Sequence, residues 1–247
     1  MKYLIDLDGT LMNGKVAYKD AVLFIQELQR ENTDFLIMTN SIKSPKVISE
    51  RLEGVGIIIA PNQILNPINA INLYILKNIY SRALIIGSST EIEQVNAKMD
   101  KYNPDIIVLL DFEKENITYN DLQYIFSFLQ KDVDIIAASG SSYYLKDGIR
   151  YLDTGAFVKL LESAANTRIK ILGKPSIEYF NAGISALKTN AYDVTVIGDD
   201  WNTDIVGATN AGCNSVLIKT GKYQAGDESK CKVQKVVNNL MELFPIE

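Results

Sequence analysis

From residue 3 onward, short apolar runs alternate with stretches whose apolar residues recur at helical spacing. Few folds satisfy that alternation, and it points to an α/β protein with mostly parallel sheets. Residues 3–7 and 35–38 read as buried strands. Residues 20–29 place Val22, Leu23, Ile25 and Leu28 on one helical stripe, and 46–54 form a second helix closed by glycine. Asn66-Pro67 pairs a cap residue with a first-turn proline and opens a helix to 78. A fresh alternation starts at 83–87. It continues with a helix over 91–99, a strand over 106–110, a helix over 119–129, a strand over 135–138, a hairpin at Lys146-Asp147-Gly148 and a helix over 154–164. From 169 the chain reads as one sheet layer again: helix 176–187, strand 194–197, helix 203–211, strand 215–218 and a last helix over 233–243. The spacing predicts a Rossmann-like parallel-sheet core formed by 1–79 and 171–247, with a smaller α/β domain, 80–170, inserted into it. A chain of 247 residues is long enough for both.

Composition narrows the chemistry. The sequence contains no histidine, which removes Ser-His-Asp and Cys-His catalysis, phosphohistidine intermediates and His-ligated zinc. Acid–base chemistry near neutral pH then falls to Asp, Glu, Lys, Tyr or Cys. A net charge of −5 provides no footprint for nucleic acid or an anionic membrane. Small phosphorylated substrates stay open, since one local site can oppose the global sign. Cys213 and Cys231 make neither a disulfide framework nor a metal-ligand pair. With no signal-like start and no apolar run of membrane-spanning length, the expectation is a soluble cytoplasmic protein without membrane or nucleic-acid partners.

Four apolar runs end in residues that carry chemistry. The first runs into Asp6-Leu7-Asp8-Gly9-Thr10. At the carboxyl end of a parallel strand, in the crevice where α/β sheets bind ligands, Asp6 and Asp8 point the same general way and reach one substrate. Two carboxylates so close repel, which a divalent cation relieves; the plainer alternative is a polar turn that ends a strand. The second run ends in Thr39-Asn40-Ser41, where a hydroxyl and backbone N–H groups can cradle phosphate, or simply cap a helix. Lys174, in Gly173-Lys174-Pro175-Ser176, projects from a loop at a helix start and can neutralise phosphate or a carboxylate; the alternative is a surface lysine. The fourth run ends in Gly198-Asp199-Asp200-Trp201-Asn202-Thr203-Asp204. Asp204 there is open to a helix-dipole role, while Asp199 and Asp200 suit a hard-cation site of the kind Mg²⁺ uses.

Taken in order, these four strand ends resemble the motifs of the haloacid dehalogenase-like (HAD) phosphatases: Asp6-x-Asp8-Gly9-Thr10, Thr39, Lys174, and Gly198-Asp199 with Asp204. The long insertion and the Thr39-Asn40-Ser41 and Gly173-Lys174-Pro175-Ser176 strings are similar to the NagD-like and para-nitrophenylphosphatase-like branch, which carries a large α/β cap. The likeness extends through Leu217-Ile218-Lys219-Thr220-Gly221-Lys222-Tyr223 and is looser in the cap. It implies a Mg²⁺-dependent phosphomonoester hydrolase for small phosphorylated metabolites. Asp6 would be the nucleophile forming an aspartyl-phosphate, and Asp8 the acid and base, its carbonyl also touching the metal. Thr39, Asn40 and Lys174 would hold phosphate, and Asp6 and Asp199 the metal, with Asp204 as ligand or outer-shell support and Asp200 a less constrained member. A homodimer through the cap fits the same resemblance. Ser139-Gly140-Ser141-Ser142 departs from the turn expected after the cap strand, leaving the substrate undefined. Arg150 and Asp153 either face the substrate or sit on a solvated hairpin. Rival readings are a receiver-like phosphoacceptor, a shorter module with no use for Asp8, and a phosphomutase or pyrophosphatase on the same fold.

Overall fold

The computed structural model of the chain describes residues 1–112, 118–131, 133–146 and 148–244; Asp147 of the expected hairpin lies outside them. The first segment runs β1 (Lys2–Ile5), a small hairpin of β2 (Met12–Asn13) and β3 (Val16–Ala17), α1 (Lys19–Arg30), β4 (Phe35–Met38), α2 (Pro45–Glu53), β5 (Ile64–Leu65) and α3 (Pro67–Lys77). The inserted segment follows as β6 (Arg82–Ile86), α4 (Ser89–Ile92), β7 (Lys98–Met99), β8 (Ile106–Leu109), α5 (Tyr119–Leu129), β9 (Asp134–Ala137), β10 (Tyr143–Lys146), β11 (Ile149–Leu152), α6 (Thr154–Ala165) and β12 (Lys170–Ile171). The chain then returns through α7 (Ile177–Ala186), β13 (Val194–Gly198), α8 (Val206–Asn210), β14 (Asn214–Ile218) and β15 (Lys235–Val237).

Two parallel sheets result. The larger has the order β15-β14-β13-β1-β4-β5, the smaller β12-β9-β8-β6-β7. Both are apolar on both faces, as crossover helices on each side demand. Along β1, β4 and β13, Ile5, Ile37 and Ile197 pack against Phe24, Ile25 and Leu28 of α1. Their neighbours Leu4, Leu36 and Val196 face Tyr179, Phe180 and Ile184 of α7 on the other side. In the cap sheet, Ile106 and Val108 share a cluster with Ile68, Ile71 and Ile75 of α3, while Ile107 and Leu109 face α5 and α6. Each fully buried side chain of this size contributes about 1.5–3 kcal/mol of transfer free energy, so the period-two pattern commits both sheets to burial. No helix among the described residues is long and apolar enough to cross a membrane.

Three expected helices differ. The one expected over 91–99 is a single turn followed by the edge strand β7. The side chain of Asn72 in α3 accepts the Asn96 amide (2.8 Å) and donates to the Gln94 carbonyl (2.9 Å), which engages backbone groups that a continuing helix would use. The last expected helix, 233–243, is β15 paired with β14, then a 3₁₀ turn whose Leu240 amide donates to Asp20 at 2.5 Å. Over 203–211 a wide π-type turn, Trp201–Ile205, precedes the short α8, an irregularity common beside functional sites.

Candidate active site

β1, β4 and β13 lie side by side and end on the same edge. The residue after β1 is Asp6, whose amide continues the ladder by donating to the Ile197 carbonyl at 2.9 Å. After β4 comes Thr39, after β13 Asp199, and Lys174 arrives on the loop leaving the cap. Brought together at one edge of the sheet, Asp6, Asp199 and Asp204 each offer a carboxylate oxygen within 4.8 Å of the others, all three buried. Lys174, only 4 % exposed, sits among them. Its ammonium donates to Asp6 Oδ1 and, at 2.7 Å, to Asp204 Oδ1. Asp204, 1 % exposed, also accepts the Asp200 amide at 3.2 Å through Oδ2. It is therefore part of the same buried cluster, and Lys174 is not a surface lysine.

One ammonium does not balance three buried carboxylates. Burial, then the charges of Asp6 and Asp204, push Asp199 well above the ordinary carboxylate range. Burial also lifts Asp204, to about 7, against the pull of Lys174. Burial alone would lower Lys174, but Asp204 and Asp6 outweigh it and hold the ammonium above its usual range. Asp6 Oδ2 is buried and has no hydrogen-bond partner. A buried charged oxygen left unpaired is costly, so the cluster fits a hard divalent cation supplied from outside.

Asp199 is held on two sides. Its Oδ2 accepts the Lys222 amide at 2.6 Å, and its Oδ1 a longer bond, 3.5 Å, from the Thr10 hydroxyl. Gly9 and Gly221 close around it with φ of +103° and +51°. A Cβ at either position would fall 2.1 or 2.0 Å from Asp199 Oδ2, so both the backbone and the space require glycine.

The residues expected to bind phosphate line the same cleft as the acidic cluster. Thr39 is buried beside the cluster; its hydroxyl accepts the Ser41 amide at 3.0 Å, and its carbonyl takes the Tyr179 hydroxyl at 2.8 Å. The Asn40 side chain straps the Lys174 backbone from both sides, accepting its amide at 2.7 Å and donating to its carbonyl at 3.2 Å. Asp8 is apart from the cluster. Its carboxylate, half exposed, pairs at 2.7 Å with Arg51 of α2, which also donates to the Gly14 carbonyl at 2.6 Å. Asp6, Asp8, Thr39, Asn40, Lys174 and Asp199 line one cleft of about 460 Å³ that continues onto the cap loops.

Sequence reasoning did not single out Lys222 or Arg51 as site residues. Lys222 had a usable signal: Thr220-Gly221-Lys222 follows the strand 214–218, a further strand end on the same edge. Its ammonium reaches Asp200 Oδ2 at 3.0 Å and Ser141 Oγ of the cap at 2.6 Å. Arg51 lies on a helix facing the motif, where no local pattern marks it. Asp153 caps α6 through the Thr154 amide at 2.7 Å and lines the cleft. Arg150, on the exposed hairpin, stacks over the Tyr143 ring at 4.8 Å.

Comparison with known proteins identifies the family and the fold. Residues 3–100 match the family model described as haloacid dehalogenase-like hydrolase, and 171–243 match a second, HAD-hydrolase-like model. Haloacid dehalogenase-like hydrolase domain-containing protein 2 of Bos taurus is 30% identical over 230 residues, covering 92% of this chain and 87% of that protein. Phospholysine phosphohistidine inorganic pyrophosphate phosphatase of Homo sapiens is 29% identical, with 97% and 91% covered. In fold, the chain superposes on a p-nitrophenyl phosphatase from Archaeoglobus fulgidus with a TM-score of 0.87 at 19% identity, covering 98% and 97% of the two chains. NagD from E. coli K-12 superposes with a TM-score of 0.86 at 18% identity, covering 99% and 98%. With its acidic cluster at the sheet edge and a NagD-like core and cap, the chain belongs to the haloacid dehalogenase-like hydrolase family.

Proposed function

We propose that the protein hydrolyses phosphomonoesters of small metabolites with Mg²⁺ as its cation, through a phosphoryl group carried on Asp6. The observation that carries this reading is the Asp6 carboxylate. Oδ1 is held by Lys174, and Oδ2 is buried without a partner beside two further acids. That leaves Oδ2 as the atom with which Asp6 acts on a ligand.

The carboxylates of Asp6, Asp199 and Asp204, with the Asp8 carbonyl, would hold the ion. When bound, Mg²⁺ neutralises charge on the acids and on the transferring phosphoryl group. Asp6 attacks phosphorus, a carboxylate O–P bond forms, and the P–O bond to the leaving group breaks. Asp8 gives its proton to the departing oxygen and then takes one from the water that cleaves the Asp6–phosphoryl bond, returning Asp6 and inorganic phosphate. Its pairing with Arg51 is exposed enough to exchange for substrate. Lys174 and Thr39 bind the phosphoryl oxygens, with Asn40 holding the lysine's backbone in place. In this reading 1–79 and 171–247 are the catalytic core and 80–170 the cap that covers it, excluding water from the cleft.

Repeated turnover of para-nitrophenyl phosphate with Mg²⁺ tests the reading, since a receiver-like module would release at most one equivalent. Activity that survives exhaustive chelation would remove the cation. Isomerised product without free phosphate would indicate a mutase. A phosphate-release screen across phosphosugars, phosphoglycolate, nucleotides, pyridoxal phosphate and pyrophosphate then ranks substrates by kcat/KM.

A further inference from the structure

Lys222 carries two contacts that belong to different parts of the molecule. Its amide supplies the shorter of the two bonds on Asp199, 2.6 Å to Oδ2. Its ammonium, on the same residue, ends between core and cap: 3.0 Å from Asp200 Oδ2 and 2.6 Å from Ser141 Oγ. Ser141 is buried and wired into the cap loop. Its hydroxyl donates to the Tyr143 carbonyl at 2.9 Å and so meets the ammonium as an acceptor, and its own carbonyl takes the Gly155 amide at 2.8 Å. The Tyr143 ring lies 5.1 Å from the same ammonium, a distance at which a ring face attracts a cation.

The loop that presents Lys222 has little slack. The Thr220 hydroxyl donates to the Gly9 carbonyl at 2.6 Å and the Gly221 amide to the Tyr18 hydroxyl at 3.2 Å, while Gly221 itself is pressed against Asp199. Lifting the cap loop takes away Ser141 and Tyr143 and leaves the ammonium with the core acids, Asp200 in contact and Asp199 nearby. An ammonium with only 15 % of its side chain exposed must then rehydrate, and its stem moves with it.

We propose that Lys222 is a positioning residue that couples the seating of the cap loop to the orientation of Asp199, through its ammonium on Ser141 and its amide on the Asp199 carboxylate. The functional consequence rests on the phosphatase reading, in which Asp199 holds the cation; the coupling itself does not.

The test is amide hydrogen exchange on the full-length, metal-free protein, read at the Lys222 amide, in Ser141→Ala and Ser141→Thr. Ser141→Ala is expected to speed exchange at Lys222 by about tenfold, as the bond to Asp199 opens more often, while Ser141→Thr keeps the hydroxyl and the wild-type rate. Faster exchange confined to 139–143, with Lys222 unchanged, overturns the coupling. Should Ser141→Ala not fold, Tyr143→Leu removes the ring face and leaves Ser141 in place. It is expected to speed the same amide, and an unchanged rate is again fatal to the proposal. Calorimetric titration with Mg²⁺ is expected to show weaker binding in Ser141→Ala, although Ser141 is not a ligand. A wild-type protein that binds no Mg²⁺ overturns the phosphatase reading instead, and the exchange rate at Lys222 still decides the coupling.

Discussion

Lys174 Nζ lies 2.7 Å from Asp204 Oδ1, and both side chains are buried. This pair and Asp6 make one charge system, so removing the ammonium affects fold and catalysis together. Lys174→Met is expected to lower kcat by about 10³-fold, the scale on which an electrostatic stabiliser of the transition state acts. It also leaves three buried carboxylates unbalanced, which costs about 3–5 kcal/mol in metal-free protein. Steady-state kinetics and urea unfolding measure the two losses separately.

Asp6→Asn separates function from stability. The substitution removes the proposed nucleophile, so turnover is expected to fall by at least about 10⁴-fold, with no phosphoryl-enzyme trapped on acid quench. It also removes one of three mutually repelling charges. The metal-free variant is therefore expected to melt at or above the wild-type temperature, as removal of strained active-site charge commonly does. Appreciable residual turnover would sink the assignment of Asp6.

Gly221→Ala tests how tightly Asp199 is caged. A methyl group there falls 2.0 Å from Asp199 Oδ2 on a backbone with φ of +51°. The carboxylate has to move, and stability is expected to drop by about 1–3 kcal/mol. A raised Mg²⁺ requirement for half-maximal rate is the accompanying readout.

The acidic cluster also predicts a pH signature in the metal-free protein. The folded-state pKa of Asp204, about 7, lies above its unfolded value near 3.8; Asp199 is raised as well. The native state then binds more protons than the unfolded state between those values, so stability is greatest on the acid side and falls as pH rises toward 7. Urea midpoints measured from pH 5 to 8 in chelator are expected to decline. Saturating Mg²⁺ is expected to flatten or reverse the slope, because the ion takes over the role of the protons.

Much of this was legible in the chain. The alternation of apolar runs determined two parallel sheets, because side chains such as Leu4 and Ile5 must both be buried, on opposite faces, wherever helices cover both. The strand-end residues Asp6, Thr39 and Asp199 were visible for the same reason: a polar residue that follows a buried strand emerges at the sheet edge. What the sequence could not decide was local competition settled by distant partners. The helix expected over 91–99 was lost to Asn72, and the one over 233–243 to pairing with β14, both contacts remote in the chain.

The tertiary structure alone decided which acids share a charge. Spacing alone left Asp204 open to a helix-terminus role and Lys174 to a surface loop, and only the resemblance drew them into one site; their burial against each other follows once β13 and the returning loop converge on β1. Asp8, next to Asp6 in the motif, turns instead to Arg51, because α2 brings that guanidinium within 2.7 Å. Lys222 became part of the site for a like reason, its amide and ammonium belonging to two environments that meet only in the folded molecule. Periodicity is written in consecutive residues and survives without the fold; charge pairing depends on distance in space, which the fold creates.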